Sequence, residues 1–330
     1  MRKNLLPNNG VPLFVDCEKD LPPHVLDGGL FDSWYICATL DQDGKKLGIQ
    51  WHHQIQETPQ GIVTLSEFAI SDGTTHKYFP HGLCLPLSPE NGADRDKLNV
   101  YSNICSLTGD RNKMQFKVMA DDCSMDVTLE GGDVLYNGTM GMVRFLSADS
   151  YQYSFPNMKM NGVLKIGDTE YRIVDQTAWF DRQWSIVSHP GEHIMEVPGC
   201  VRLAWLWFGL NMPNGEHFSL WDAYGCRGKE AFATIASPDG SQRNVLIDVT
   251  YSDIWTSERT GCHYPRTVEV EVPSEDIHLK LTSMIDNPEA DTVVVNSCQD
   301  LCTITGTCKG LPVDDLVVLE IVGDICGEAP

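Results

Sequence analysis

The twelve residues VDQTAWFDRQWS, Val174 to Ser185, gather two tryptophans, a phenylalanine, two aspartates and an arginine with nothing around them that suggests a helix. In a strand, successive side chains point to opposite faces. Trp179, Asp181 and Gln183 then share one face, and Phe180, Arg182 and Trp184 the other. Asp181 has an indole as its same-face neighbour, and the Arg182 guanidinium points away unless a bulge intervenes. A carboxyl beside an aromatic wall and far from a cation has a raised pKa, because desolvation penalises its charged form. A general acid working near neutral pH needs that property. The indole face can also stabilise a cation developing beside it. The alternative is structural, since a strand aspartate also caps turns or pairs with an arginine on an adjoining strand.

Other aromatic clusters extend the idea of a pocket. AWLWFGL puts Trp205 and Trp207 on one face, and FSLWDAYG adds Trp221, Asp222 and Tyr224. FDSWY offers Asp32, Trp34 and Tyr35, and QWHHQ offers Trp51, His52 and His53, of which only one histidine can face inward. The eight tryptophans either fill cores or line an apolar cavity for a hydrophobic ligand. Metal chemistry finds less support. His189 and His193 lie in HPGEH, where Pro190-Gly191 excludes the helical spacing of a metalloprotease motif. His76 and His81 flank a loop, and Cys298, Cys302 and Cys308 match no common metal spacing. No G-x-S-x-G elbow, phosphate-binding loop or dinucleotide fingerprint is present. Neither a metal nor another cofactor is expected.

The elements that must hold these residues are strands. HYPRTVEVEVPSEDIHLKLTSMI alternates with period two, MQFKVMADDCSMDVTLEGGDVLYNGTM reads as short strands broken at Asp121-Asp122 and Gly131-Gly132, and GVLKIGDTEYRIVDQTAWFDRQWS reads as a hairpin turning at Gly167-Asp168. MPNGEH, SPDGSQ and LDQDGKK mark further turns. No window carries a helical period. The chain is expected to be all-β, in sandwich or barrel sheets. FDSWYICATLDQDGKKLGIQWHH and VRLAWLWFGLNMPNGEHFSLWDAYG echo each other, each an aromatic strand, a turn and a second aromatic strand. That echo suggests two similar β domains, 1–158 and 159–330.

Composition narrows the partners. A formal charge of −22 repels phosphate backbones and anionic lipid, so neither nucleic acid nor a membrane surface is expected as a partner. No apolar run approaches the roughly 18–20 residues that span a bilayer, and Pro7, Asn8 and Asn9 spoil a signal peptide. Twelve cysteines scattered without close pairs read as mostly free, buried thiols of a cytoplasmic protein. The sequon Asn137-Gly138-Thr139 leaves secretion as the alternative. A small hydrophobic substrate is the expected partner, and the oligomeric state is left open.

From about Phe31 to Pro273 the sequence resembles, in order, the hydroxyneurosporene synthase (carotenoid 1,2-hydratase) family, with kievitone hydratase and the lipocalin-like fungal Diels–Alderases as relatives. The segments that carry the likeness are YSFPNMKMNGVLKIGDTEYRIVDQTAWFDRQWS, the VRLAWLWFGL segment and SDIWTSERTGCHYPRTVEVEVP, together with FDSWYICATLDQDGKKLGIQW and VTLSEFAISDG. The resemblance implies two tandem lipocalin-like β-barrel or β-sandwich domains with a hydrophobic pocket at or near their junction, acting without a cofactor on terpenoid, carotenoid, flavonoid or polyketide compounds. It makes Asp181 the proton donor with Trp179 and Trp184 beside it, puts Tyr264 and Trp255 in a second element, and Asp32, Trp34 and Tyr35 in a first. This chain departs from the family pattern at Ser33, where relatives carry a ring, and at Arg182, where many carry histidine. Near the end, Glu320 is the match for the last family acid. The expected activity is addition or removal of water at a carbon–carbon double bond, with His53 or Tyr264 positioning the water. An isomerase or pericyclic cyclase, and a non-catalytic carrier, are the alternatives.

Overall fold

Alternating apolar and polar residues form antiparallel strands through most of the chain, punctuated by the turn residues the sequence supplies. The computed structural model describes residues 15–27, 31–58, 61–138, 140–143, 150–185, 204–225, 228–290 and 296–327. The first sheet holds β1 (Phe31–Gln42), β2 (Lys45–Thr58), β3 (Gly61–Asp72), β4 (Lys77–Pro86), β5 (Gly92–Ala93), β6 (Leu98–Tyr101), β7 (Cys105–Gly109), β8 (Lys113–Met119), β9 (Cys123–Glu130), β10 (Leu135–Tyr136), β11 (Met142–Val143), β12 (Ser150–Ile166) and β13 (Thr169–Ser185). The second holds β14 (Ala204–Asn211), β15 (His217–Gly225), β16 (Gly228–Ala236), β17 (Gln242–Leu246), β18 (Asp248–Thr256), β19 (His263–Val272), β20 (Ile277–Ser283), β21 (Glu289–Ala290), β22 (Ser297–Cys308) and β23 (Leu311–Val322). No helix among the described residues is long and apolar enough to cross a membrane. The hairpins expected at Asp43-Gly44, Asp121-Asp122 and Gly167-Asp168 form there. Asp43 and Gly44 both take positive φ, as a two-residue turn between twisted strands requires.

The strand order is β4-β3-β2-β1-β13-β12-β9-β8-β7-β6-β5 in the first sheet, with β10 and β11 on β12. It is β17-β16-β15-β14-β23-β22-β20-β19-β18 in the second, with β21 on β22. Each sheet thus opens with a four-strand meander and places its last strand beside its first. The two segments that echo each other are β1–β2 and β14–β15, the opening hairpin of each sheet. The architecture is all-β, two curled half-barrels in tandem of the lipocalin-like kind. Residue 158 falls inside β12, which pairs with β9 and β13. The hairpin β12–β13 therefore completes the first sheet, and the sheets divide between Ser185 and Ala204 rather than between 1–158 and 159–330.

Each sheet curls around its own apolar core, Trp34, Ile36, Phe180 and Trp184 entering the first and Leu206, Phe208, Val268 and Leu319 the second. A third cluster, with Tyr35, Cys37, Trp179, Trp207, Trp221 and Val318, joins the outer faces of the two sheets. The central strands are consequently covered on both sides. In β13 every residue from Ala178 to Ser185 except Gln183 is buried, which explains why TAWFDRQWS carries rings on both faces. Hydrogen bonds cross the junction as well: Asn211 Nδ2 donates to Pro156 O at 2.9 Å, and Ser219 Oγ to Asn137 Oδ1 at 2.6 Å. Asn137, the sequon asparagine, is fully buried at this junction. Ten cysteines, from Cys17 to Cys326, carry free thiols among the described residues.

Candidate active site between the sheets

Cα partners on neighbouring strands project their side chains to the same side. The register therefore defines a polar row across the outer face of the first sheet: Ser154 on β12, Asp181 on β13, Tyr35 on β1, His52 on β2 and Glu67 on β3. Asp181 is 5 % exposed. Its Oδ1 accepts a hydrogen bond from Trp179 Nε1 at 2.7 Å, and its Oδ2 one from Gln152 Nε2 at 3.2 Å. Burial pushes its pKa up to about 7 against hydrogen bonds from Ser154 and Trp179 that pull it down, and the Glu320 charge adds to the upward push. The carboxyl therefore holds its proton for much of the time at neutral pH. Arg182 does not quench it. That guanidinium lies on the opposite face, paired with Asp32 and lying 4.3 Å from the centre of the Trp34 ring.

The second sheet supplies the facing half. Gln299 on β22 accepts from the Tyr35 hydroxyl at 3.4 Å and donates to Glu320 Oε1 on β23 at 3.0 Å. Trp205 Nε1 donates to Glu320 Oε2 at 3.3 Å. His52 Nδ1 lies 3.6 Å from Glu320 Oε1, while its Nε2 meets Ser33 Oγ at 2.7 Å. Burial lowers the His52 pKa against the pull of the Glu320 charge, and so favours the neutral ring. Further along the row, Tyr78 donates to Glu67 at 3.1 Å, and burial raises Glu67 to about 7. Trp207 stands edge-on to both Tyr35 (5.4 Å between centroids) and Trp179 (6.0 Å), with Trp221 behind it at 6.3 Å. A cleft of ≈ 180 Å³ enters the same junction past Cys37, Trp179, Gly209 and Val318. Cys37 and Trp179 are themselves a register pair, two residues along from Tyr35 and Asp181.

Of the residues singled out from sequence, Asp181, Trp179, Tyr35, His52, Trp205, Trp207, Trp221 and Glu320 meet here. The others do not, and for those of the first sheet strand alternation is the reason. Asp32, Trp34, Trp184 and His53 point to the opposite face, into the first core or its lining. Asp32 there holds Arg182 and accepts the backbone N–H groups of His24 and Val25, both at 2.6 Å. His53 sits between Trp34 and Trp51, and burial lowers its pKa to about 3. It is His52, not His53, that reaches the junction. Tyr264 belongs to the second core, stacked on Trp255 at 5.7 Å and donating to Glu289 at 3.1 Å. Glu289 also accepts from Ser257 and Thr260, so that cluster braces a turn. Gln152 and Gln299 were not picked out from the sequence, and His52 only as one of two neighbouring histidines of which one could face inward. Their only sequence signal is alternation, which becomes informative once one residue of the row is assigned a side. His189 and His193 lie outside the described residues. One group of metal-type donors occurs among the described residues, His81, Asp122 and Cys123, and it lies on the core side of the first sheet rather than in this row.

The sequence model of the AttH-like family matches residues 28–312. A dehydratase, asqC, from Emericella nidulans is 29 % identical over 209 residues, a match taking in 57 % of this chain and 54 % of the relative. The chain thus spans about half the length of that curated relative. Among solved structures, an AttH protein from Nitrosomonas europaea is similar with a TM-score of 0.78 at 19 % identity, covering 94 % of this chain and 97 % of the other. Kievitone hydratase from Nectria haematococca is similar at the same TM-score and 18 % identity, covering 96 % and 95 %. CghA bound to Sch210972 follows with a TM-score of 0.59 at 13 % identity, covering 99 % and 97 %. At these identities the structures share the fold.

Proposed function

The chain belongs to the AttH-like family, and from that footing we propose that it is a hydratase or dehydratase that works without a cofactor on a hydrophobic natural product, with Asp181 as the general acid. The observation that carries this reading is the buried Asp181 carboxyl, held by neutral donors on Ser154, Trp179 and Gln152 and pushed by burial up to about 7. In the hydration direction the carboxyl gives its proton to one alkene carbon. The ring faces of Trp179, Trp207 and Tyr35 shelter the cation left on the other. Water then adds to that carbon and loses a proton to the facing arm, Glu320 or the neutral His52. In dehydration the acid protonates the leaving hydroxyl, the C–O bond breaks, and the facing arm removes the proton from the adjacent carbon. The arm takes the role expected of His53 or Tyr264, because those two residues face the cores of the two sheets whereas Glu320 and His52 lie at the junction with Asp181. Two relatives are named for reactions that move water, a dehydratase and a hydratase, which supports the reading.

The test uses Asp181→Asn with terpenoid- or polyketide-derived alkenes and alcohols, scored by gain or loss of one water in mass spectrometry. Turnover should fall by about 10²–10⁴-fold while ligand binding persists. A near-normal rate removes the mechanism. Deuterium from solvent entering the hydrated product separates it from a pericyclic closure, which takes up none. A carrier would return its ligand unchanged.

A further inference from the structure

Beyond the junction, the three donors at the open end of the first half-barrel belong to elements far apart in the sheet. His81 lies on β4, the edge strand, none of whose ten residues is buried. Asp122 and Cys123 lie at the β8–β9 turn, and β9 is separated from β4 by β3, β2, β1, β13 and β12. His81 is the register partner of Phe68, a residue of the first core, so its ring points inward across the mouth of the curl. Phe68 stacks on that ring at 6.5 Å. His81 Nε2 is 3.0 Å from Asp122 Oδ1 and 3.6 Å from Cys123 Sγ, and the three donor atoms all lie within 4.8 Å of one another. Tetrahedral coordination at ordinary zinc bond lengths sets N and O about 3.3 Å apart and N and S about 3.6 Å apart. The nitrogen–sulfur separation matches and the nitrogen–oxygen one, at 3.0 Å, is slightly shorter, so the three donors outline three corners of such a site.

We propose that His81, Asp122 and Cys123 bind a divalent transition metal of the zinc class, with solvent as the fourth ligand, clamping edge strand β4 to the β8–β9 turn. Imidazole, carboxylate and thiolate donors suit a borderline ion and not magnesium or calcium. On binding, the Cys123 thiol forms the metal–sulfur bond and its proton leaves to solvent, so a dication is neutralised by one thiolate and one carboxylate. Among the described residues no strand pairs with the free edge of β4. A neighbouring contact, Ser102 Oγ to Ser66 Oγ at 3.2 Å, spans the mouth of the curl in the same way, between β3 and the β6–β7 turn. The clamp is independent of the chemistry assigned to Asp181.

The test is titration of the chelator-treated full chain with zinc and with cobalt(II). One equivalent should bind, with a cobalt–thiolate charge-transfer band and a rise in Tm. Cys123→Ser should abolish that band, and His81→Ala should weaken binding by more than about tenfold. X-ray absorption of the zinc-loaded wild type, which needs no variant, should show one sulfur in the first shell. Sub-stoichiometric uptake without a change in Tm overturns the proposal and leaves an ordinary His81–Asp122 ion pair. So does uptake that survives both substitutions, or a zinc shell without sulfur.

Discussion

Asp181 stands between opposing forces, and each can be removed separately. Burial and the Glu320 charge favour its protonated form; the hydrogen bonds from Ser154, Trp179 and Gln152 favour the carboxylate. A general acid works only while protonated. With the accepting arm unprotonated, activity should therefore hold level up to about pH 7 and fall about tenfold per pH unit above the titration point. Trp179→Phe removes a donor to the carboxylate, so the residual activity should keep its level to higher pH. Glu320→Gln removes a negative charge that opposes ionisation, so its alkaline fall should begin at lower pH, on top of any loss of rate. The pH profile of kcat checks both. Shifts in the same direction for the two variants would mean that some other group sets the limb.

At the scale of elements, the site depends on how closely β13 approaches β14. Gly209 on β14 lies under the Trp179 ring, and a Cβ there would come within 2.6 Å of the indole. The indole is rigid and its N–H is fixed on Asp181, so Gly209→Ala has to displace it. Overpacking of this kind costs roughly 1–3 kcal/mol, readable as a lower urea midpoint. Because a misplacement of about 1 Å can cost roughly 10²-fold in rate, turnover should suffer more than stability does. Normal turnover in this variant would mean that the indole position is unimportant. The β12–β13 hairpin was legible at this scale, since its turn and its alternation are both local. Its place beside β1 was not, because β1 lies more than a hundred residues earlier and nothing local names it as a partner.

For the molecule as a whole, β13 and β23 hold equivalent places in the duplicated topology, each the strand that returns to its sheet's first strand, and β23 packs against β1, the neighbour of β13. Asp181 and Glu320 are thus contributed by equivalent strands, and the proposed chemistry draws on both sheets. A chain ending before Ala204 keeps Asp181 yet loses Gln299, Glu320, Trp205 and Trp207, and exposes Tyr35 and Trp179 to water. It should show no turnover and should bind a hydrophobic dye strongly; turnover within about tenfold of the full chain would show that the second sheet is dispensable. Much of the −22 charge lies on exposed side chains such as Glu170, Asp239 and Asp276, while the ionisable groups of the junction are buried. Net charge therefore speaks to partners and hardly to the site.

Alternation, turn residues and aromatic density determined, without coordinates, that the chain is all-β, that its halves resemble each other, and that Asp181 shares a face with Trp179 and not with Arg182. These follow from the period-two geometry of a single strand, which a local stretch of sequence fully expresses. Which face of that strand meets the other sheet was decided only by tertiary structure, because both faces of TAWFDRQWS are apolar enough to be buried. That one choice admits His52 and excludes His53, and it turns Asp32, Trp34 and Trp184 toward the first core, while Tyr264 belongs to the core of the other sheet. It also sets Gln299 and Glu320 opposite the acid, through packing between strands that are remote in the chain.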